Sequence, residues 1–154
     1  MELPELKHYN IRVYGIFINE NNEVLLTDEF FHGMKMTKFP GGGMNFGEGP
    51  ADCILREAQE ELGQEVEIME HFYTTHFFQR SLFFPDQQLI SIYYRIKFKE
   101  PLRLKISGKP FDFSPMADGA FSFRWASIDK LKEEDLTLPV DKYVLKLLKQ
   151  KIVS

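Results

Sequence analysis

A chain of 154 residues with 44% hydrophobic residues and fifteen phenylalanines can bury a sizeable core, which excludes an intrinsically disordered protein. Its net charge of −4 speaks against nonspecific nucleic-acid binding, which needs a basic footprint, but leaves polyphosphate substrates open because bound cations invert the local field. A single cysteine, Cys53, excludes an internal disulfide framework and fits a reducing cytoplasm.

In chain order, residues 10–19 predict a strand rich in β-branched and aromatic side chains, among them Ile11, Val13, Tyr14 and Ile16. Asn19-Glu20-Asn21-Asn22 predicts a turn and residues 23–27 a second strand, so the two are expected to form a hairpin. Residues 28–35 read as a polar, aromatic loop, and residues 36–40 as a short strand entering a glycine loop. Residues 50–62 predict a helix. Pro50 stands in its first turn, where the missing N–H costs nothing, and Gly63 caps its end after Leu62. The apolar stripe of this helix is expected at Ala51, Leu55, Ala58 and Leu62, with Cys53 half-packed near the other side. A long strand-like run follows over residues 65–80, then a loop over 81–87. Residues 88–99 predict an alternating strand with Ile90, Ile92, Tyr94, Ile96 and Phe98 on one face.

Between residues 100 and 119, Pro101, Gly108, Pro110, Pro115 and Gly119 interrupt the pattern around a short strand at 102–106. Residues 120–126 predict a strand and residues 129–132 a short helix. A longer helix is expected over 140–152, with Val140, Tyr143, Val144, Leu147, Leu148 and Ile152 at helical spacing. No apolar stretch approaches the roughly 18–20 residues of a membrane span. The opening Met-Glu-Leu-Pro-Glu-Leu-Lys lacks the basic and apolar regions of a secretory signal. The expectation is a soluble, cytoplasmic α/β protein, one domain over residues 1–154, with no membrane or nucleic-acid partner.

The strongest signal lies in residues 42–63. Phe39-Pro40-Gly41-Gly42-Gly43 ends an apolar segment with three glycines, a backbone able to turn sharply and approach a ligand closely. It leads into the helix on which Glu57, Glu60 and Glu61 share one face, since positions i, i+3 and i+4 are neighbours. Such like-charge pairs cost roughly 0.2–0.5 kcal/mol each in an isolated helix. A hard divalent cation (magnesium, manganese or calcium) would offset them. Taken alone, a Glu-x-x-Glu-Glu face is usually just solvated; the glycine loop in front of it points to a site.

Gly42, Glu48, Arg56, Glu57, Glu60, Glu61 and Gly63 fall in register with Gly-x5-Glu-x7-Arg-Glu-U-x-Glu-Glu-x-Gly-U, where U is a bulky aliphatic residue. The stretch thereby resembles the Nudix box. Ala58 at the first U is a mild departure. Gln64 at the last is polar where the family prefers an aliphatic residue, with Val66 a candidate to take over its packing. The resemblance implies a Nudix-type α/β/α sandwich with a mixed β-sheet. It also implies metal-dependent hydrolysis of a phosphoanhydride in a nucleoside diphosphate linked to another moiety, such as a nucleoside triphosphate or a nucleotide sugar, with water attacking phosphorus.

By the same resemblance Glu57, Glu60 and Glu61 would ligate magnesium or manganese, with the Gly41 or Gly42 carbonyl as a further ligand. Arg56 and Glu48 would form an ion pair locking the loop to the helix. Glu60 or Glu61 could serve as base, and Asp118 stands where relatives place an extra acidic ligand, with Asp112 and Glu100 competing for that role. For the small nucleotide-type substrate, His76, Phe78 and Arg80 are candidates to stack a base and hold a phosphate, beside the readings of core aromatics and ordinary surface charges. The marks expected of ADP-ribose, dinucleoside polyphosphate and coenzyme A hydrolases are missing. Gln79 stands where the first would carry proline, no tyrosine stands at 79–81, and only Leu25-Leu26-Thr27 resembles the opening of the third signature. The alternative is a non-catalytic, ligand-binding or regulatory Nudix domain, which would have no need to keep all three glutamates. A homodimer is compatible with the resemblance.

Overall fold

The computed structural model describes residues 2–153, with side chains through residue 151. In chain order the elements are β1 (His8–Ile16), β2 (Glu23–Phe31), β3 (Met34–Lys38), β4 (Gly41–Gly43), α1 (Pro50–Leu62), β5 (Val66–Thr74), β6 (Gln87–Phe98), β7 (Phe121–Ser127) and α2 (Pro139–Val153). The chain divides into two compact units, residues 1–15 with 41–101 and residues 16–40 with 102–154.

The first unit holds a four-stranded sheet in the order β4-β1-β6-β5, with α1 packed on β4 and β5. Helix α1 has the predicted bounds. The Asp52 carboxylate accepts the Gly49 N–H at 2.9 Å, and Gly63, at φ 66°, turns its own N–H back to the Gln59 carbonyl at 3.1 Å. Its buried face is Cys53, Ile54, Ala58 and Leu62, whereas Leu55 is 42% exposed and Ala51 is exposed. The stripe is therefore turned from the expected one. Ala58 and Leu62 serve both arrangements, and Ile54 and Cys53 take the buried places expected of Leu55 and Ala51. Gln64, the atypical position, is buried with its Nε2 donating to the Pro101 carbonyl at 3.1 Å, and Val66 is buried beside it in sequence.

The predicted run over 65–80 ends as a strand at Thr74, beyond which the Thr75 N–H still donates to the Ser91 carbonyl at 2.9 Å and Arg80 bridges back to Gln88. Strand β6 does not keep one apolar face, for Ser91, Tyr93 and Ile96 are its buried positions. The pairing with β5 shifts register between Ile68 and Glu70 and again between His71 and Tyr73. Bulges of this kind bend and twist a strand pair, so a single alternation does not survive along it.

The second unit holds the sheet β3-β2-β7. The expected hairpin between the first two strands is confined to residues 17–25, with the Ile18–Val24 bridge flanked by the Asn19 N–H donated to the Glu23 carbonyl at 3.0 Å and the Leu25 N–H donated to the Phe17 carbonyl at 3.1 Å. Asn19 does close that turn, its Oδ1 accepting from Asn21 and Glu23 N–H at 3.0 and 2.9 Å. Beyond it β1 pairs with β4, and β2 with β3 and β7. Residues 28–35 are not a loop, since Phe31 faces Met34 across His32-Gly33, both at positive φ (50° and 72°), a two-residue hairpin turn. Asp28, fully buried, accepts from Thr37 Oγ1 at 2.7 Å, Arg124 Nε at 2.7 Å and the Phe111 N–H at 3.3 Å.

The short strand expected at 102–106 reduces to a parallel bridge between Ile106 and Phe123. Residues 129–132 form no helix, only the end of a turn over 128–130; a single 3-10 turn follows at Glu133–Asp135, its Asp135 carboxylate accepting the Lys132 N–H at 2.8 Å. Helix α2 buries Val140, Val144, Leu145 and Leu148, with Tyr143 and Leu147 half-buried. The side chain of Ile152 lies outside the described residues. No helix among the described residues is long and apolar enough to cross a membrane.

Candidate active site

Strand β4 consists of three glycines, and the structure gives a steric reason for the first two, while a Cβ on the third would meet only an ordinary contact. A Cβ on Gly41, at φ 153°, would stand 2.1 Å from the Val13 carbonyl oxygen. On Gly42 it would stand 2.5 Å from the Glu57 carboxylate, and on Gly43 3.5 Å from Arg12 Nη1. Gly42 therefore cradles Glu57, whose side chain is only 12% exposed, against bare backbone.

Arg56 binds this corner together. Its Nε and Nη2 grip Glu48 at 2.5 and 2.9 Å, and Nη2 also donates to the Gly43 carbonyl at 2.9 Å. Nη1 reaches Glu57 at 2.9 Å and Glu60 at 3.1 Å. Glu48 in turn accepts the Asn45 N–H at 2.8 Å, so the loop after β4 is tied to the helix through one two-pronged ion pair. The Arg56 hydrogen bonds, then the Asn45 N–H, hold the Glu48 carboxyl down at about 2. The Glu48 and Glu57 partners push the Arg56 guanidinium further up. Cys53 is fully buried rather than half-packed, its Sγ 3.5 Å from the Gly43 carbonyl. Burial, with the Glu48 and Glu57 charges adding to it, raises the thiol to about 11, which makes it a poor nucleophile.

Glu57, Glu60 and Glu61 lie on one side of α1, the first mostly buried, the second exposed and the third half-buried. Among the described residues no three His, Cys, Asp or Glu side chains stand in a closed ligand set. Arg56 draws both Glu57 and Glu60 to one nitrogen. The donor chemistry still fits a hard divalent cation, since carboxylate and carbonyl oxygens are gathered at the glycine strand and Glu57 is fixed there. Glu60, 58% exposed, leaves Arg56 at little cost because an exposed ion pair is worth at most about 1 kcal/mol.

The remaining predicted residues fall in two places. His76, Phe78 and Arg80 follow β5 in the same unit as the glycine strand. His76 Nδ1 is 2.6 Å from the Tyr73 hydroxyl, and Phe78 is 57% exposed. Arg80 Nη1 donates to the Pro4 carbonyl at 3.0 Å and to that of Pro85, pinning the loop that precedes β6. Asp118 belongs to the other unit, where its Oδ1 accepts the Gly33 N–H at 3.2 Å at the β2–β3 turn. Of its competitors, Asp112 lies 3.9 Å from Lys109, and Glu100 is exposed after β6. Arg12 also belongs to the corner, directly opposite Gly43 in the β1–β4 ladder. A sequence shows it only as a lone charge in an apolar strand; its place becomes visible once the register is known.

A NUDIX domain model matches residues 8–148. The 8-oxo-dGTP diphosphatase of Escherichia coli is 43% identical over 51 residues, covering 32% of this chain and 40% of that protein. The RNA pyrophosphohydrolase of Nitratiruptor is 26% identical over 121 residues, covering 71% and 77% of the two chains. The match to the diphosphatase thus spans less than half of that relative's length. Among solved structures, the MutT protein of Methanosarcina mazei superposes with a TM-score of 0.67 at 19% identity, covering 99% of this chain and 100% of that one. The expected α/β fold is the fold observed. With a family match running from the start of β1 to within a few residues of the end of α2, the chain belongs to the Nudix family.

Proposed function

We propose that the protein is a metal-dependent hydrolase that cleaves a phosphoanhydride bond in a nucleoside diphosphate linked to another moiety. The carrying observation is the Glu57 carboxylate held against the side-chain-free Gly42, with Glu60 and Glu61 on the same helix face. The two relatives named as a diphosphatase and a pyrophosphohydrolase support the same reading. So does a family match that runs through both compact units, which we take together as one Nudix domain.

Magnesium or manganese would be held by Glu57, Glu60, Glu61 and the Gly41 carbonyl. Bound there, the metal supplies charge neutralisation on the phosphate oxygens and lowers the pKa of water. The chain's own residues do the rest. Gly41 to Gly43 let the phosphate chain approach the backbone. Arg56 and Glu48 fix the loop so that Glu57 stays in place. Glu60 or Glu61 takes the proton from the attacking water, whose oxygen bonds to phosphorus as the anhydride oxygen leaves. His76 and Phe78 meet the nucleotide's organic part, on the loop that Arg80 pins. The buried free thiol of Cys53 supports a reducing compartment such as the cytoplasm.

The test is a panel of nucleoside triphosphates, nucleotide sugars, ADP-ribose, dinucleotides and coenzyme A, assayed with each metal. Cleavage of at least one is expected, to phosphate or pyrophosphate and a nucleotide from a triphosphate, or to a nucleoside monophosphate and a phosphorylated moiety from a linked nucleotide, and Glu61→Gln should abolish it with the melting temperature kept. Binding without turnover in the wild type, or full activity in Glu61→Gln, refutes the proposal.

A further inference from the structure

We propose that Arg12 binds the phosphate chain of the substrate from the face of strand β4 opposite Glu57, with Tyr14 as its positioning residue. The inference rests on the hydrolase reading above and adds a substrate-binding cation to it.

Directly opposed residues of an antiparallel pair share a face, and successive residues alternate. Arg12 opposes Gly43, Val13 opposes Gly42 and Tyr14 opposes Gly41. Val13 and Gly42 therefore look one way, toward the Glu57 carboxylate, while Arg12, Tyr14, Gly41 and Gly43 look the other. Strand β4 is the sheet's edge, and none of its three residues carries a side chain. One bare strand thus separates a carboxylate from a guanidinium. A phosphate chain lying over that edge meets both at once, its metal-bound oxygens on one side and Arg12 on the other.

The guanidinium is oriented in advance. Arg12 Nε donates to the Tyr14 hydroxyl at 2.8 Å, and its Cζ lies 5.8 Å from the centre of the Tyr14 ring. Tyr14 is buried and stacks on the buried Tyr93 at 5.2 Å, which faces Tyr73 at 6.2 Å. Tyr73 is hydrogen-bonded to His76. A row of rings on β1, β6 and β5 backs the arginine, so little side-chain freedom remains to be lost on binding. With Nε turned to Tyr14, the Nη1 end lies over Gly43, 3.5 Å from where a Cβ on that residue would stand. A planar guanidinium suits a multi-oxygen anion better than an ammonium does. Arg56 cannot fill this place, because its fork is committed to Glu48.

The experiment measures binding of imidodiphosphate with magnesium, by calorimetry, to the full chain and to Arg12→Met, Arg12→Lys and Tyr14→Phe. Methionine keeps the apolar stem and removes the charge. Arg12→Met should lose about tenfold or more in affinity, Arg12→Lys should recover part of that, and Tyr14→Phe should lose about threefold. On the nucleotide that the wild type hydrolyses, Arg12→Met should raise KM with kcat changed less than about threefold, the mark of a contact made equally in ground and transition states. An Arg12→Met affinity within about twofold of wild type, or Arg12→Lys no better than Arg12→Met, overturns the inference while leaving the hydrolase reading standing. A wild type that does not bind imidodiphosphate with magnesium or manganese overturns both.

Discussion

Replacing Gly42 by alanine separates the fold from the site. The added Cβ would sit 2.5 Å from the Glu57 Cδ and Oε1, against the 3.4 Å at which ordinary contact begins, so the carboxylate must retreat by about 0.9 Å. It is the flexible end of a side chain and can move without disturbing the strand. The retreat also draws it off Arg56 Nη1, now at 2.9 Å. A displacement of about 1 Å at a catalytic group can cost about 100-fold in rate, while metal ligands tolerate only about 0.2 Å. Gly42→Ala should therefore lower kcat/KM by about 100-fold and weaken manganese binding, with stability changed by no more than about 1 kcal/mol. Gly41→Ala supplies the contrast, because its Cβ would stand 2.1 Å from the Val13 carbonyl oxygen and 2.7 Å from the Tyr14 Cα, both backbone of a paired strand. That variant should lose more than about 2 kcal/mol. Thermal melting, manganese titration by paramagnetic resonance and steady-state kinetics read the two variants side by side. Wild-type manganese affinity in Gly42→Ala would refute the cradle, as would a melting loss equal to that of Gly41→Ala.

The Glu48 carboxyl, held at about 2 in the fold against an ordinary 4.5, contributes stability that is fully present above pH 4.5 and is lost as the pH falls toward 2. Denaturant midpoints should fall across that window in the wild type and less steeply in Glu48→Gln; parallel slopes would refute the ion pair's role. In the other unit, Arg124→Met leaves the fully buried Asp28 without its cation, and urea unfolding should show a loss of about 3–5 kcal/mol. Adding Asp28→Asn should return part of that loss. A single-variant loss under about 1 kcal/mol would show that Thr37 and the Phe111 N–H suffice for Asp28.

What could be read from the sequence was what is encoded locally. Helix α1 carries its own start at Gly49-Pro50 and its own stop at Gly63, and the spacing of Glu48 from Arg56 anticipates a pair that the structure contains. Strand partnership is a different kind of information. Ile16 and Glu23 belong to segments that look like one hairpin, and the Asn19 turn does form, yet two residue pairs later the strands join different sheets. Nothing within residues 10–27 specifies that exchange, because the partners of β1 and β2 are supplied by Gly41–Gly43, β6, β3 and β7. The His32-Gly33 turn was hidden for another reason, since histidine is a rare choice for the first positive-φ position.

Gln64 illustrates how the two levels meet. As a sequence position it breaks the family's preference for an aliphatic residue, which suggests a weakened start to the next strand. In the fold it is buried and donates to the Pro101 carbonyl, at the far end of β6 where the Lys99 N–H already bonds the Glu65 carbonyl at 3.2 Å. The amide closes the end of the β5–β6 ladder by a hydrogen bond to a residue 37 positions away. An aliphatic side chain would fill the same volume but leave that carbonyl to find another donor. The departure from the motif is thus compensated at a distance, by a hydrogen bond that an aliphatic residue could not make.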